Sequence, residues 1–365
     1  MINYQRFKVQ EVQGRYVTFP HINGFLDSLS SNFKIDDLGK SVQKNKIKCI
    51  TVGSGPTRIL MWSQMHGNES TTTKAVLDLL KFLSTEEEES LSILKNCTLK
   101  IIPILNPDGA LAYTRVNAHK IDLNRDAQDL SQPESRILHN VYERFSPHYC
   151  FNLHDQRTIF NVGASAKPAT VSFLAPAFDK DRNISPSRKI SMQLIAAMNF
   201  ELQNVIEGQV GRYDDGFNPN CVGDAFQMKG IPTILFEAGH FPEDYQREKT
   251  RELIFLALLT CIETIKDGRI PEYSVDQYLE IPENSKQYVD VLVLNPKLVS
   301  PYYSKNASVS ILYKEELREG EIVFKPEVLL HEDKNDSVFG HQTVDCSKQK
   351  DIHWMKERGI FKLLT

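Results

Sequence analysis

His66 and Glu69 stand three residues apart in His66-Gly67-Asn68-Glu69, where the apolar run Ile59 to Trp62 gives way to a helical pattern. At such a hand-over both side chains can aim at one point. A His with a Glu is half of a His/Glu/His zinc site, whose fourth position stays open for water. Alone the pattern is weak, because a surface turn uses the same residues. Three more apolar runs also end in polar, reactive groups. Leu99 to Leu105 stops at Asn106-Pro107-Asp108-Gly109, Tyr149 to Leu153 delivers His154, and Ile231 to Phe236 ends at Glu237. Active sites of open α/β sheets gather at the carboxyl ends of strands. A single His after an apolar run is usually a packed histidine, and a single Glu closing a strand is usually a capping or salt-bridge residue. The coincidence of all four endings is what points to a site.

Such a set supports a definite chemistry. His66, Glu69 and His154 would hold Zn²⁺, one per chain, which lowers the pKa of bound water and polarises a carbonyl. Glu237 would be the general base that takes the water proton and returns it to the leaving amine. Arg115 would stabilise the developing oxyanion. Asn124 and Arg125 offer a neutral donor and a planar guanidinium fork, which fit a substrate carboxylate.

The elements that must position these residues follow from periodicity. Lys46 to Val52 alternates as a strand and turns at Gly53-Ser54-Gly55-Pro56 into the strand at Arg58. Val76, Leu79, Leu80 and Leu83 share one helix face. The run Glu86 to Glu89 is a solvated loop or helix end. Ser131 and Glu134 have capping-box spacing before a helix carrying Ile137, Leu138, Val141 and Phe145. Val171 to Leu174 is a short strand, and Ser191 to Val205 and Gln246 to Ile265 are helical. Helices are expected near Gly24 to Ser31 within an otherwise polar, mixed stretch 1–45. Strands alternating with helices predict an α/β domain over 1–270, with a mixed, largely parallel central sheet flanked by helices. Residues 271–365 carry short strand-like runs, Tyr288 to Leu294, Ala307 to Tyr313, Glu321 to Phe324 and Pro326 to Leu330, and predict a small β-rich appended domain.

With 365 residues, 41% hydrophobic and 25% charged, the chain has the composition of a soluble globular protein with ample core. A net charge of −4 gives no basic field for nucleic acid or anionic membranes. The longest apolar run, Leu253 to Leu259, is too short to cross a bilayer. The N-terminal stretch from Met1 to Tyr16 lacks the apolar core of a secretory signal. The cysteines are scattered with no C-x-x-C and read as buried free thiols of a reducing, cytoplasmic compartment. Nothing in the sequence sets the oligomeric state.

In their order along the chain these motifs resemble the zinc metallocarboxypeptidases, from roughly Gly39 to Ile265. His66-Gly67-Asn68-Glu69 is similar to that family's H-x-x-E, and Asn106-Pro107-Asp108-Gly109 to its N-P-D-G. Arg115 with Asn117, and Asp122-Leu123-Asn124-Arg125, resemble its R-x-N and D-x-N-R segments. Asn152-Leu153-His154 resembles the third-ligand strand, and Phe236-Glu237 the F-E that bears the general base. The resemblance implies a carboxypeptidase-like fold, and a peptide substrate whose scissile carbonyl meets Arg115 and whose terminal carboxylate meets Asn124 and Arg125. It also implies a mobile tyrosine closing over the substrate. Tyr213, 24 residues before Glu237 in the loop Gly211 to Gly223, is the best-placed candidate, with surface packing nearly as good a reading. Cys221 to Asp224 falls where relatives carry the pocket for the C-terminal side chain. Asp214 and Asp215 could favour a cation there, although a solvated acidic loop is the better reading. The span from Glu69 to His154 is short, implying trimmed loops and a more open cleft. His-Gly-Asn-Glu and the β-rich C-terminal part also resemble the aspartoacylase and succinylglutamate desuccinylase branch of the superfamily, which cuts N-acyl amino acids. A third reading is a module that recognises chain ends without cutting. It would show a lost ligand or a lost Glu, and neither is lost. His119, His148 and His240 are expected to be exposed or structural and receive no role.

Overall fold

Ile59 and Met61 face one side of a sheet and Leu60 and Trp62 the other, and all four are fully buried. Apolar residues on both faces are what a strand covered on both sides requires. The computed structural model describes residues 3–333 and 338–365, with the backbone alone for 330–333. The first two residues of the N-terminal stretch lie outside the described residues. The strands preceding the C-terminal part are β1 (Lys34–Lys40), β2 (Lys46–Val52), β3 (Thr57–Ser63), β4 (Cys97–Ile102), β5 (Tyr149–Asp155), β6 (Asn161–Val162), β7 (Val171–Leu174), β8 (Val210–Arg212) and β9 (Thr233–Ala238). All but β6 form one sheet in the order β1-β2-β4-β3-β5-β9-β7-β8. Its centre, β4 through β9, is parallel, while β1, β2 and β7 meet their inner neighbours antiparallel. The chain leaves β3 to form β4 on one side and then returns to form β5 on the other. That reversal opens a crevice at the carboxyl ends of β3 and β5.

Helices α1 (Phe19–Ser28), α2 (Thr71–Leu83), α3 (Glu88–Asn96), α4 (Pro107–Ala112), α5 (Pro133–Phe145), α6 (Pro186–Gln203), α7 (Val222–Met228) and α8 (Glu248–Lys266) surround the sheet. Leu77, Phe82, Leu194 and Leu258 bring α2, α6 and α8 onto one face. Leu138, Val141, Val222 and Phe226 bring α5 and α7 onto the other. A fully buried ion pair joins α2 to α8, with Arg251 donating to both oxygens of Asp78 at 2.5 and 2.6 Å. Tyr4 Oη and the Val9 amide also donate to Asp78, at 2.7 and 2.8 Å.

After α9 (Val275–Leu279) come β10 (Asn284–Ser285), β11 (Tyr288–Leu294), β12 (Ala307–Arg318), β13 (Glu321–Asp333), β14 (Phe339–Asp345) and α10 (Gln349–Glu357). A separate sheet of order β13-β12-β11-β14 packs Val291, Val293, Val309 and Ile311 against Met355 of α10. The first core reaches past residue 270 and takes in Tyr278 and Ile281, and β10 pairs with β6.

Several local expectations shift. The stretch 1–45 is more than polar surface. Tyr4, Phe7, Val9, Val12 and Val17 are buried, the first helix lies at Phe19–Ser28, and β1 adds an edge strand. The strand expected from Leu99 to Leu105 spans Cys97–Ile102, ending before Pro103. No capping box forms at Ser131, because Gln132 is the N-cap. Ser131 instead donates to Asp126, and Glu134 accepts from Val42 and Asn117. The runs on either side of Pro326 are one strand. Pro326 opposes Tyr313 on an edge strand, where a missing amide is tolerated.

Candidate metal centre and cleft

The parallel register sets the site. Ser63 at the end of β3 lies opposite Leu153, and His154 lies opposite Glu237 of β9. His66 and Glu69 follow in the turn after β3. That turn is held tight against the Asn-Pro-Asp-Gly turn after β4, since a Cβ on Gly67 would lie 1.9 Å from the Gly109 carbonyl carbon. Asn106 locks the contact by accepting from Gly109 N at 2.8 Å and donating to Met65 O at 3.2 Å. Asp108 accepts from Ser41, Gln43 and Asn45, at 2.5, 2.9 and 2.8 Å. The Asn-Pro-Asp-Gly motif is therefore scaffold that fixes the metal turn.

His66 Nδ1 and His154 Nδ1 lie 3.0 Å apart, and each is 2.8 Å from an oxygen of Glu69. Donor atoms of these three residues all fall within 4.8 Å of one another, and each residue is buried. Two ring nitrogens and a carboxylate turned toward one buried point are the lone-pair donors that Zn²⁺ takes. The set fits the metal in a second respect. His66 Nε2 meets Asp122 Oδ1 at 2.9 Å, which keeps the ring proton on Nε2 and frees Nδ1 as a ligand.

Asp122 received no role from the sequence, yet it connects most of the site. Its Oδ2 accepts from Arg115 Nε and Nη2, both at 3.0 Å, and its Oδ1 also accepts from Asn124 N at 2.9 Å. The signal was available in Asp122-Leu123-Asn124-Arg125: a ligand histidine needs a partner for its other nitrogen, and a carboxylate is the common one. Arg115 also lies 3.4 Å from Glu69, with nearly half of its side chain exposed to the cleft. Asp155 was likewise unassigned. It accepts from Thr71 N at 2.8 Å and Thr72 N at 3.2 Å, capping α2 directly behind the ligands.

His66, Glu69, His154, Arg115, Asn124, Arg125, Tyr213 and Glu237 all line one cavity of about 370 Å³. Asn124 Oδ1 accepts from Val222 N at 3.1 Å, which ties the Asn-Arg pair to the start of α7. Arg125 is exposed and, among the described residues, its side chain donates only to its neighbour's carbonyl. The Tyr213 ring packs on Phe160 at 5.3 Å, with its amide bound to Phe173 O. Cys221, Gly223 and Asp224 line the same cavity.

Two expectations need correction. Asp215 is no solvated acid, because it pairs with Arg188 and Arg182, while Asp214 lies 3.7 Å from Arg182. His240 is buried, only 2% exposed, with its ring against Tyr245 and His341. His119 and His148 are exposed.

Electrostatics divide the carboxylates. Burial opposes ionisation of Glu69, but His66 and His154 outweigh it and hold its pKa below the usual range. Burial opposes ionisation of Asp122 too, and His66 and Arg115 overcome it. Glu237 is raised well above the usual range, first by burial and then by the charges of Glu69 and Asp155. One Glu237 oxygen is buried without a hydrogen-bond partner among the described residues. A carboxylate with a raised proton affinity beside one held ionised is the division that general acid–base chemistry uses.

The fold and cleft together define an α/β protein with a metal-competent His₂Glu centre at its topological switch point. Residues 22–168 match the family model for zinc carboxypeptidases. Carboxypeptidase 2 of Trichophyton equinum is 26% identical over 185 residues, covering 48% of this chain and 33% of that protein. Cytosolic carboxypeptidase 6 of Caenorhabditis elegans is 29% identical over 143 residues, covering 35% of this chain and 31% of that protein. The matches thus span about a third of the length of these curated relatives. A metallo-carboxypeptidase from Burkholderia cenocepacia shares the fold, with a TM-score of 0.54, 16% identity and coverage of 67% of this chain and 69% of that chain. Over residues 22–168 the chain is similar to the zinc carboxypeptidases, and its fold is that of a metallo-carboxypeptidase.

Proposed function

We propose that the chain is a zinc-dependent metallocarboxypeptidase that releases C-terminal residues from peptides. The observation that carries this reading is the convergence of His66, Glu69 and His154 in one cleft with Glu237, Arg115, Asn124 and Arg125. Zinc held by the three ligands supplies a Lewis acid and lowers the pKa of water. Arg125 and the Asn124 side chain receive the terminal carboxylate and so place the last peptide bond beside Glu237. Arg115, steadied by Asp122, donates toward the scissile carbonyl oxygen as charge develops there. Glu237 takes a proton from the attacking water and delivers it to the departing amine. Tyr213 borders the same space and closes over the substrate side chain.

We assign one zinc per chain, a catalytic unit over 1–270 onto which Tyr278, Ile281 and β10 also pack, an appended unit over the rest of 271–365, and a reducing, cytoplasmic compartment. Five of the six cysteines are buried and all are free thiols, which fits that compartment. Among the described residues no helix is long and apolar enough to cross a membrane. A second reading, hydrolysis of N-acyl amino acids by the same residues, is favoured by one observation: β12 of the C-terminal sheet walls a cavity that adjoins the cleft and would confine the acyl side of a substrate. The test is mass-spectrometric profiling of zinc-quantified protein against free-acid peptides, their C-terminal amides, and N-acetyl and N-succinyl amino acids. Release of single residues from free acids alone is expected. Cleavage restricted to acyl amino acids selects the second reading, and no cleavage at full zinc occupancy removes both.

A further inference from the structure

A second cavity, of about 350 Å³, adjoins the first and shares Glu69, Arg115 and the segment Asp155 to Arg157 with it. Its outer wall comes from the C-terminal sheet, through Tyr313, Lys314 and Glu315 of β12. Asn124, Arg125 and Glu237 line only the first cavity. A substrate anchored there by its terminal carboxylate therefore extends past Glu69 and Arg115 into the second. This step rests on the proposed function.

The charges of the second cavity are unevenly committed. Its acids are occupied by internal donors. Asp155 caps α2, and Asp290 accepts from Tyr245 Oη at 2.9 Å, Tyr313 N at 2.7 Å and Thr158 Oγ1 at 3.3 Å. Glu315 is taken by Arg15, at 3.0 and 3.2 Å, and by the Tyr113 hydroxyl. The cations are in excess. Arg247 is 1% exposed, and among the described residues its side chain donates to the carbonyls of Ala238 and Gln156, at 2.5 and 2.9 Å, and touches no carboxylate. Burial, and then the charge of Arg15, pull its pKa down to about 10. Arg157, three residues past His154, is exposed and has no ion-pair partner among the described residues. Among the described residues Lys314 has only loose ion-pair contacts, 3.6 and 3.9 Å from Glu316 and Glu327. The carboxylates of Asp155 and Glu315 act on the Arg247 guanidinium only from beyond contact distance, so a buried cation of this kind gains from a further anion coming near.

We propose that this second cavity is the acyl-side pocket and that it takes a carboxylate, recognised at its mouth by Arg157 and Lys314. That carboxylate belongs either to an acidic residue preceding the scissile bond or to the distal end of a dicarboxylic acyl group. The C-terminal sheet thereby selects the substrate, beyond shielding the cleft.

The test compares kcat/KM of the zinc-loaded chain on acid and amide twins that share the best-cleaved C-terminal residue. One pair has Glu or Gln before the scissile bond, and the other has an N-succinyl or N-succinamoyl group. A preference of roughly tenfold or more for the acid is expected in at least one pair, which also identifies the source of the carboxylate. The preference should collapse toward one in Arg157→Gln and partly return in Arg157→Lys. Ratios near one in the unmodified chain would overturn the pocket assignment and leave the hydrolase standing. If neither pair is cleaved, calorimetric titration with glutarate decides. Binding lost in Arg157→Gln but kept in Arg125→Gln preserves the pocket without the hydrolase, and no such binding removes both.

Discussion

Asp122→Asn keeps the shape of one side chain and removes a charge on which three groups depend. The carboxylate holds the proton of His66 Nε2 at 2.9 Å, clamps Arg115 at 3.0 Å and caps the Asn124 amide at 2.9 Å. An amide keeps one acceptor oxygen, which can serve His66 and Asn124 or Arg115 but not all three, and if it turns its NH₂ to His66 it inverts the tautomer. Removing such an outer-sphere partner weakens metal binding by roughly 10- to 100-fold, or about 1.4–2.8 kcal/mol. The side chain is partly exposed and the fold does not hang on it, so the metal-free thermal midpoint serves as a control for misfolding. Zinc affinity measured by chelator competition should fall within that range, and kcat/KM should fall further because Arg115 loses its anchor. An affinity within about twofold of the unmodified chain would refute the reasoning that Asp122 sets the ligand tautomer.

Further expectations test the scaffold and the cleft. Asp78→Ala leaves Arg251 charged and buried, so chemical denaturation should register a loss of about 3–5 kcal/mol. Burial lowers the His341 pKa to about 4. Between pH 4 and 6.5 the unfolded chain then binds the extra proton, so stability falls as pH drops through that window, by on the order of 3 kcal/mol at most. Denaturation midpoints from pH 7 to 4 should follow this slope, and His341→Phe, which cannot titrate, should lessen it, with the remainder coming from His240, whose pKa burial also lowers. Arg125→Ala should raise KM for free-acid peptides by roughly tenfold or more, the loss of a charge-assisted contact, as steady-state kinetics would register.

Much of the site is legible in the sequence because its residues end strands. An apolar run that stops at His66, His154 or Glu237 announces both the element and the direction of the side chain. The parallel pairing of β3, β5 and β9 then brings those ends together. What escapes reading is held by contacts that sequence distance conceals. Asp122 belongs to a loop without periodicity, and only its distance to His66 reveals its part. Arg15 and Glu315 form a pair across 300 residues that walls the second cavity. β1, with the sequence KIDDLGK, is a half-exposed edge strand without an apolar run. His240 looked exposed because a polar turn surrounds it, but β14 of the C-terminal sheet brings His341 against it and buries it.

The most direct test of the central claim is a side-by-side measurement of zinc content and turnover in the unmodified chain and Glu237→Gln, using a free-acid peptide. Glu237 touches the cleft but contributes no donor to the His66, Glu69 and His154 cluster. The expected result is one zinc per chain in both proteins, with turnover in the unmodified chain and almost none in the variant. Full turnover by Glu237→Gln, or loss of its zinc, would contradict the division of labour between the metal ligands and the base.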